Sequence, residues 1–365
     1  MHCQYVTNRR TLYSRCGMRQ SRTMITHVFM RTFFREHSLL LTAVLCLGAL
    51  LTSCSDDPDP QVDHYSNPVW TGDEATVIAG HLRYRTDAAS DRSLSILALR
   101  TAGTPDETDV NFAGVSYQKR YWAEPLSGVL AFDTGGIAFF SRTGTYLGTF
   151  TAQNGSVMPN AISFIAGGGE FAWAAQSGGH VVLGTAQYTD KPWLPASVTV
   201  VKDTASPAGV LDVVYTSASS YAVHLSDGTI LEYGATGALR SQLKLDPVRN
   251  GQPWQQRLHY YSGAQGLDSR LYALDDSGLA MFDLKKKTKS IIIYGAIVNF
   301  DITNKSGFIL FETLTPDVFI ADANGIPLSR VVRGGRMPQF SNSGRKFTAV
   351  GKSTANIDSL VVVSF

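Results

Sequence analysis

Cysteine is scarce and confined to one end of this chain: Cys3, Cys16, Cys46 and Cys54 are the four in 365 residues. Everything after Cys54 therefore lacks a disulfide, a thiol nucleophile and a thiolate metal ligand. A body without cross-links must rest on the size of its core, and a chain of roughly 290 residues is long enough to build one. Helical periodicity is missing too. From about residue 76 onward no stretch of a dozen residues repeats its apolar positions at helical spacing. Catalytic signatures are absent: there is no Gly-x-Ser-x-Gly elbow, no phosphate loop and no His-Glu-x-x-His. Five histidines follow Cys54 (His64, His81, His180, His224 and His259), and no two lie three to five residues apart. No metal pair, cofactor set or catalytic residue is therefore expected from a local motif. An excess of positive charge is lacking as well. Residues 1–53 hold seven of the 32 basic residues and one of the 30 acidic ones, so residues 54–365 carry 25 against 29. Nucleic acid is excluded as an expected partner, because its binding needs a basic footprint.

What the amino terminus does have is a leader. Arg31 and Arg35 precede the apolar run from Leu39 to Leu51, and Ser55-Asp56-Asp57-Pro58-Asp59-Pro60 follows Cys54. About a dozen apolar residues are too few to span a bilayer, which takes roughly 20, but suit a secretory signal. Leu51-Thr52-Ser53-Cys54 resembles the lipobox of bacterial lipoproteins. That resemblance implies a diacylglycerol on the Cys54 thiol, a cut before Cys54 and acylation of the new amino terminus. Two or more acyl chains, at about 0.8 kcal/mol per buried CH₂, hold a protein stably on a membrane. A leader counted from Met1 is overlong, whereas Met30 opens a normal basic n-region. Residues 1–29 are thus read as a mis-called extension, with a genuine long leader as the alternative. Residues 30–53 are the signal peptide and 54–75 an acidic tether rich in Asp, Pro and Ser. Asp56-Asp57 is similar to the acidic export signal of surface lipoproteins in the Bacteroidetes, with periplasmic display as the alternative.

Residues 76–365 read as a repeat. Short β-rich runs separated by Gly, Asn, Asp and Ser turns recur in the order strand, tight turn, strand. The clearest copy is Tyr221-Ala222-Val223-His224-Leu225, Ser226-Asp227-Gly228, Thr229-Ile230-Leu231-Glu232-Tyr233. Copies start at Leu94, Ile137, Phe171, Tyr221, Leu271, Phe308 and Phe347, a mean spacing of about 42 residues. That is the period of β-propeller blades of three or four strands. Arg270-Leu271-Tyr272-Ala273-Leu274-Asp275 and the Ser226-Asp227-Gly228 turn resemble WD40, YVTN and PQQ-type propeller repeats. The resemblance implies an all-β propeller of seven blades, with six and eight left open, and says little about activity. The carboxyl-terminal run Ser359 to Phe365 is expected to pair in the last blade, with a strand near Thr76-Val77-Ile78 as its partner.

Binding candidates are aromatics in apparent loops: Tyr121-Trp122 before Ala123-Glu124-Pro125, Trp193 after Pro192, and Trp254 after Pro253. Exposed Trp and Tyr anchor protein and sugar contacts, and the competing reading is that they fill gaps between blades. Arg333 and Arg336, with Arg330, Arg345 and Lys346, flank Gly334-Gly335 as a basic surface for an acidic partner. Asp275-Asp276-Ser277-Gly278 and Asp322-Ala323-Asn324-Gly325 read as turns rather than calcium loops, since neither has the later bidentate Glu. Lys285, Lys286, Lys287 and Lys289 read as a solvated turn, and His224 as a structural residue. The expected function is a lipid-anchored, extracytoplasmic scaffold or accessory subunit at the outer membrane, binding other envelope proteins. The alternatives are a propeller enzyme, lactonase-like or glycan-active, and a surface glycan-binding protein. Cys54→Ala should abolish labelling by a palmitate analogue in cells and leave an uncut precursor. Label retained in that variant would remove the lipoprotein reading.

Overall fold

The structure is a computed structural model that describes residues 2–6, 62–70, 74, 76–84, 90–98, 106–111, 120–123, 128–133, 136–141 and, with short breaks, 145–365. Among the described residues there is no helix. The strands form four-stranded antiparallel sheets, each a simple meander in chain order except the last, where an amino-terminal strand lies beside the final one. Strand β1 (His2–Val6) stands apart at the amino terminus. The first sheet holds β2 (Val62–Trp70), β3 (Thr76–Tyr84), β4 (Ser90–Ala98) and β5 (Asp106–Asn111). The second holds β6 (Arg120–Ala123), β7 (Gly128–Asp133), β8 (Gly136–Ser141) and β9 (Tyr146–Phe150), and the third β10 (Ala161–Phe164), β11 (Glu170–Ser177), β12 (His180–Gln187) and β13 (Ser197–Ala205). The fourth comprises β14 (Val210–Ser217), β15 (Ser220–Leu225), β16 (Thr229–Gly234) and β17 (Leu239–Lys244). The fifth comprises β18 (His259–Tyr261), β19 (Arg270–Asp275), β20 (Gly278–Asp283) and β21 (Thr288–Tyr294). In the sixth are β22 (Ile297–Ile302), β23 (Ile309–Thr313), β24 (Asp317–Ala321) and β25 (Pro327–Arg333). The last sheet has β26 (Arg336–Phe340), β27 (Lys346–Lys352) and β28 (Asp358–Ser364), with β1 on the outer side of β28.

From the third sheet onward the second strands are buried on both faces, so these sheets are covered by their neighbours. Along β15, Tyr221, Val223 and Leu225 join the core against the third sheet, while Ala222 joins the core against the fifth. Aromatics fill the wedges. Phe171 meets Phe150 edge-on at 5.0 Å, Phe164 at 5.4 Å and Tyr188 at 5.8 Å. Trp173 lies over Gly184, where a Cβ would come within 2.4 Å of the indole and 2.3 Å of the Thr199 carbonyl. That glycine sits at a bulge between β12 and β13, so the close approach and the irregularity share one cause. First strands lie beside one another from sheet to sheet: β10 by β14, β14 by β18, β18 by β22, β22 by β26. The first sheet meets the last, with Trp70, Val77 and Ala79 packed on Val350, Leu360 and Val362. The Trp70 indole donates to the Gln339 carbonyl at 3.3 Å, and Glu74 accepts from the Ser343 amide and hydroxyl.

Several expectations are corrected. Thr76–Tyr84 pairs with β2 and β4 and not with the carboxyl-terminal strand, whose outer neighbour is β1. Strand β2 starts at Val62, inside the segment read as tether, and Trp70 is buried there. Pro68 has no N–H, and the β2–β3 register shifts between Ser66 and Val69, which breaks the alternation that marks a strand. Leu94 and Ile137 lie on third strands, whereas Phe171, Tyr221, Leu271 and Phe347 lie on second strands. Every strand covered on both faces has the same apolar character, so adjacent hairpins read alike. Phe171→Ala should cost about 3–5 kcal/mol. Urea unfolding should show a lower midpoint with little change in slope, and a midpoint within error of the parent would mean that this aromatic wedge carries no weight.

Candidate functional site

In an antiparallel meander, successive connections alternate between the two ends of the sheet. Turns between second and third strands share one end with the links from sheet to sheet. Turns between first and second, and between third and fourth, share the other. On the first of these ends, around the fifth to seventh sheets, two large apolar side chains stand in solvent. Tyr294 is 79% exposed and Leu314 is 71% exposed. Tyr294 pairs with Gly278 at the end of β21, and the Leu314 amide donates to the Ala296 carbonyl at 2.9 Å, which sets the two segments side by side. Exposed Arg333 ends β25 opposite Asp317, and half-buried Arg336 begins β26. The two arginines are thus brought to the same end as Tyr294 and Leu314. Sequence reading missed Tyr294 and Leu314 because both lie in β-rich runs, where an aromatic or a leucine signals core.

Beneath this surface the first and second strands carry buried polar groups. His259 Nδ1 lies 3.5 Å from Asp301 Oδ1, and the imidazole packs on Phe300. Burial holds the His259 imidazole well below its usual value, and the nearby Arg257 charge acts the same way. Burial pushes the Asp301 carboxyl up to about 6, against the pull of Arg257 and of the Phe340 and Ile302 amides. Glu312 is pushed up to about 7 by burial, opposed by the Met337 amide and by Arg336. The carboxylates are engaged by backbone of the next sheet. Asp212 accepts from the Leu258 amide at 2.9 Å, Asp301 from Phe340 at 2.7 Å and Glu312 from Met337 at 2.8 Å. Ser163 similarly accepts from Tyr215 at 3.2 Å. These groups stitch one sheet to the next.

Of the sequence candidates, Tyr121 and Trp122 lie in β6, paired with Leu130 and Val129, and not in a loop. The strand ends at Ala123, just ahead of the proline that suggested a loop for the whole segment. Trp193 is partly buried in the turn before β13 and packs on Phe139 at 6.0 Å, against Gly148 of the second sheet. Trp122 and Trp193 fall toward the same end of their sheets. Trp254 and Cys54 lie outside the described residues. Among the described residues no group of three His, Cys, Asp or Glu is placed to hold a metal ion. Asp275 caps its own turn through the Ser277 amide and pairs with Lys289 at 2.6 Å, while Asp322 accepts from the Asn324 and Ile326 amides. Lys289 is therefore tied to an acid, and the Lys285 and Lys286 amides donate to Asp283. His224 is buried in β15 across from Asp212 and Ile230.

No family model matches the chain, and no curated protein is found that is similar to it.

A raised carboxyl stabilises the fold where it is protonated, so the contribution of Glu312 is complete below its unfolded value near 4.5 and is lost as pH rises through about 7. Glu312→Gln keeps an oxygen for the Met337 amide and should flatten the fall in stability across that window. Denaturant midpoints of parent and variant between pH 4.5 and 7.5 check this, and parallel profiles would refute it. Trp193→Ala should lower the melting temperature through lost packing on Phe139, and an unchanged melt would return Trp193 to the binding candidates.

Proposed function

We propose that the chain is a seven-bladed β-propeller closed into a ring, anchored by lipid at Cys54 to the outer membrane, that binds other envelope proteins as a scaffold or accessory subunit. Reading each four-stranded sheet as one blade is supported by the first strands lying side by side and by the Trp70 core joining first sheet to last. The anchor rests on the resemblance of Leu51-Thr52-Ser53-Cys54 to a lipobox. The observation that carries the binding role is the solvent-facing pair Tyr294 and Leu314 at the same end of the sheets as Arg333. A tyrosine, a leucine and a guanidinium at one end of a rigid sheet stack are the materials of a protein-binding patch, with apolar anchors and an arginine at the rim. A hydrolase would instead need free acids on the inner strands, and Asp212, Asp301 and Glu312 are bonded to backbone amides.

The paired variant Tyr294→Ser with Leu314→Ser tests the patch. An interface anchor is worth about 2 kcal/mol when truncated, which is roughly 30-fold in affinity. Proteins captured through a carboxyl-terminal tag on the parent should be lost from the variant, with the melting temperature unchanged. Unaltered capture would remove this face as the binding surface.

A further inference from the structure

The outer strand of a sheet presents unpaired N–H and C=O groups, and proteins blunt such edges with charge, proline or bulges. The outer strands here follow that rule, with one exception. β9, β13, β17, β21 and β25 each meet their inner neighbour through a register shift. β5 carries Asp106, Glu107 and Asp109. β28 is the least protected: it has one charge, Asp358 at its start, and from Ser359 to Ser364 it holds no charged residue, no Pro and no Gly. It pairs with β27 from Lys346↔Ser364 to Lys352↔Asp358 without a bulge. In the full chain β1 covers this edge, with His2↔Ser364, Gln4↔Val362 and Val6↔Leu360 among the pairs. β1 lies upstream of Cys54, so a cut before Cys54 takes the cover away.

The tether is a poor replacement. Eight residues separate the cut from β2, including Pro58 and Pro60, and β2 is the first strand of its sheet. Fully extended they reach about 26 Å, and the outer position lies about three strand spacings, or ~14 Å, from the innermost one. Crossing that gap leaves roughly four residues, one of them the lipidated cysteine.

We propose that the uncovered edge of β28 pairs with the same edge of a second copy, so that the processed protein is a two-fold symmetric dimer. The inference rests on the lipoprotein reading for the removal of β1. The Phe365 amide donates to Arg345 beside β27. Amide and carbonyl directions alternate along a strand, so Leu360, Val362 and Ser364 turn their backbone groups outward. An antiparallel pairing centred on Val361 sets Leu360 of one copy against Val362 of the other, outward group to outward group. Asp358 then faces Ser364, and no like charges oppose each other. The same patch serves on both sides, as a two-fold interface requires, and both open edges are satisfied at once.

Sedimentation of the chain from Ser55 to Phe365 is the test, and the expected mass is twice that of one copy. Amides of Leu360, Val362 and Ser364 should exchange at least tenfold more slowly than in the monomer. Val362→Pro removes an outward N–H and leaves the β27 ladder intact, so it should sediment as a folded monomer. If that variant fails to fold, a peptide of residues 1–8 in excess should convert the unmutated dimer to monomer by refilling the edge. A monomeric parent, a dimer whose outward amides exchange freely, or a dimer untouched by both interventions overturns the proposal. So does a monomer that captures a foreign extended peptide. Loss of labelling at Cys54 is scored separately in cells, so failure of the anchor and failure of the edge pairing give different results.

Discussion

Everything in this fold follows from sheets that are apolar on both faces. A four-stranded sheet of that kind is insoluble alone and must have a neighbour on each side. Side chains of successive residues on one strand therefore belong to two different cores, as Tyr221 and Ala222 do on β15. Size follows position in the wedge. Phe150, Phe171 and Trp173 fill one junction, and small residues such as Gly184 admit the larger rings. A fully buried aromatic contributes about 1.5–3 kcal/mol. Many such junctions stabilise a chain that has no disulfide after Cys54.

Apolar packing sets the sheets together, and buried acceptors fix how they are aligned. Asp212, Asp301 and Glu312 each receive a backbone amide from the sheet that follows. An amide left without an acceptor at such a depth costs about 1–3 kcal/mol, so the stitches penalise sliding of one sheet against the next. Burial of the acids has its own cost, visible in the raised values of Asp301 and Glu312. Met337, which donates to Glu312, sits in the left-handed region at φ 53°, so part of the alignment is bought with backbone strain.

Hairpins were legible where the turn chemistry was sharp. Ser226-Asp227-Gly228 lies between β15 and β16, and Asp275-Asp276-Ser277-Gly278 joins β19 to β20, each with a side chain capping the turn. β2 was not legible, because Pro68 and the bulge beside it interrupt the alternation. β6 has four residues, too few to show a period. The stitches escape sequence reading for a different reason: Asp212 and Leu258 are distant in the chain, and only the stacking of sheets makes them neighbours. Tyr294 and Leu314 were hidden by their own hydrophobicity, since exposure is a property of the assembled surface. Arg333 and Arg336 were visible because two glycines between them break the strand pattern.

The junction of Trp70 and Glu74 with Gln339 and Ser343 spans 269 residues of chain. Folding slows as contacts become more distant in sequence, because closure entropy is lost before the contact forms. The first sheet is made early and waits for the last. Until β26–β28 have been synthesised, Trp70, Val77 and Ala79 have no cover from that side. A ribosome adding about 5–20 residues per second leaves that face bare to water for tens of seconds.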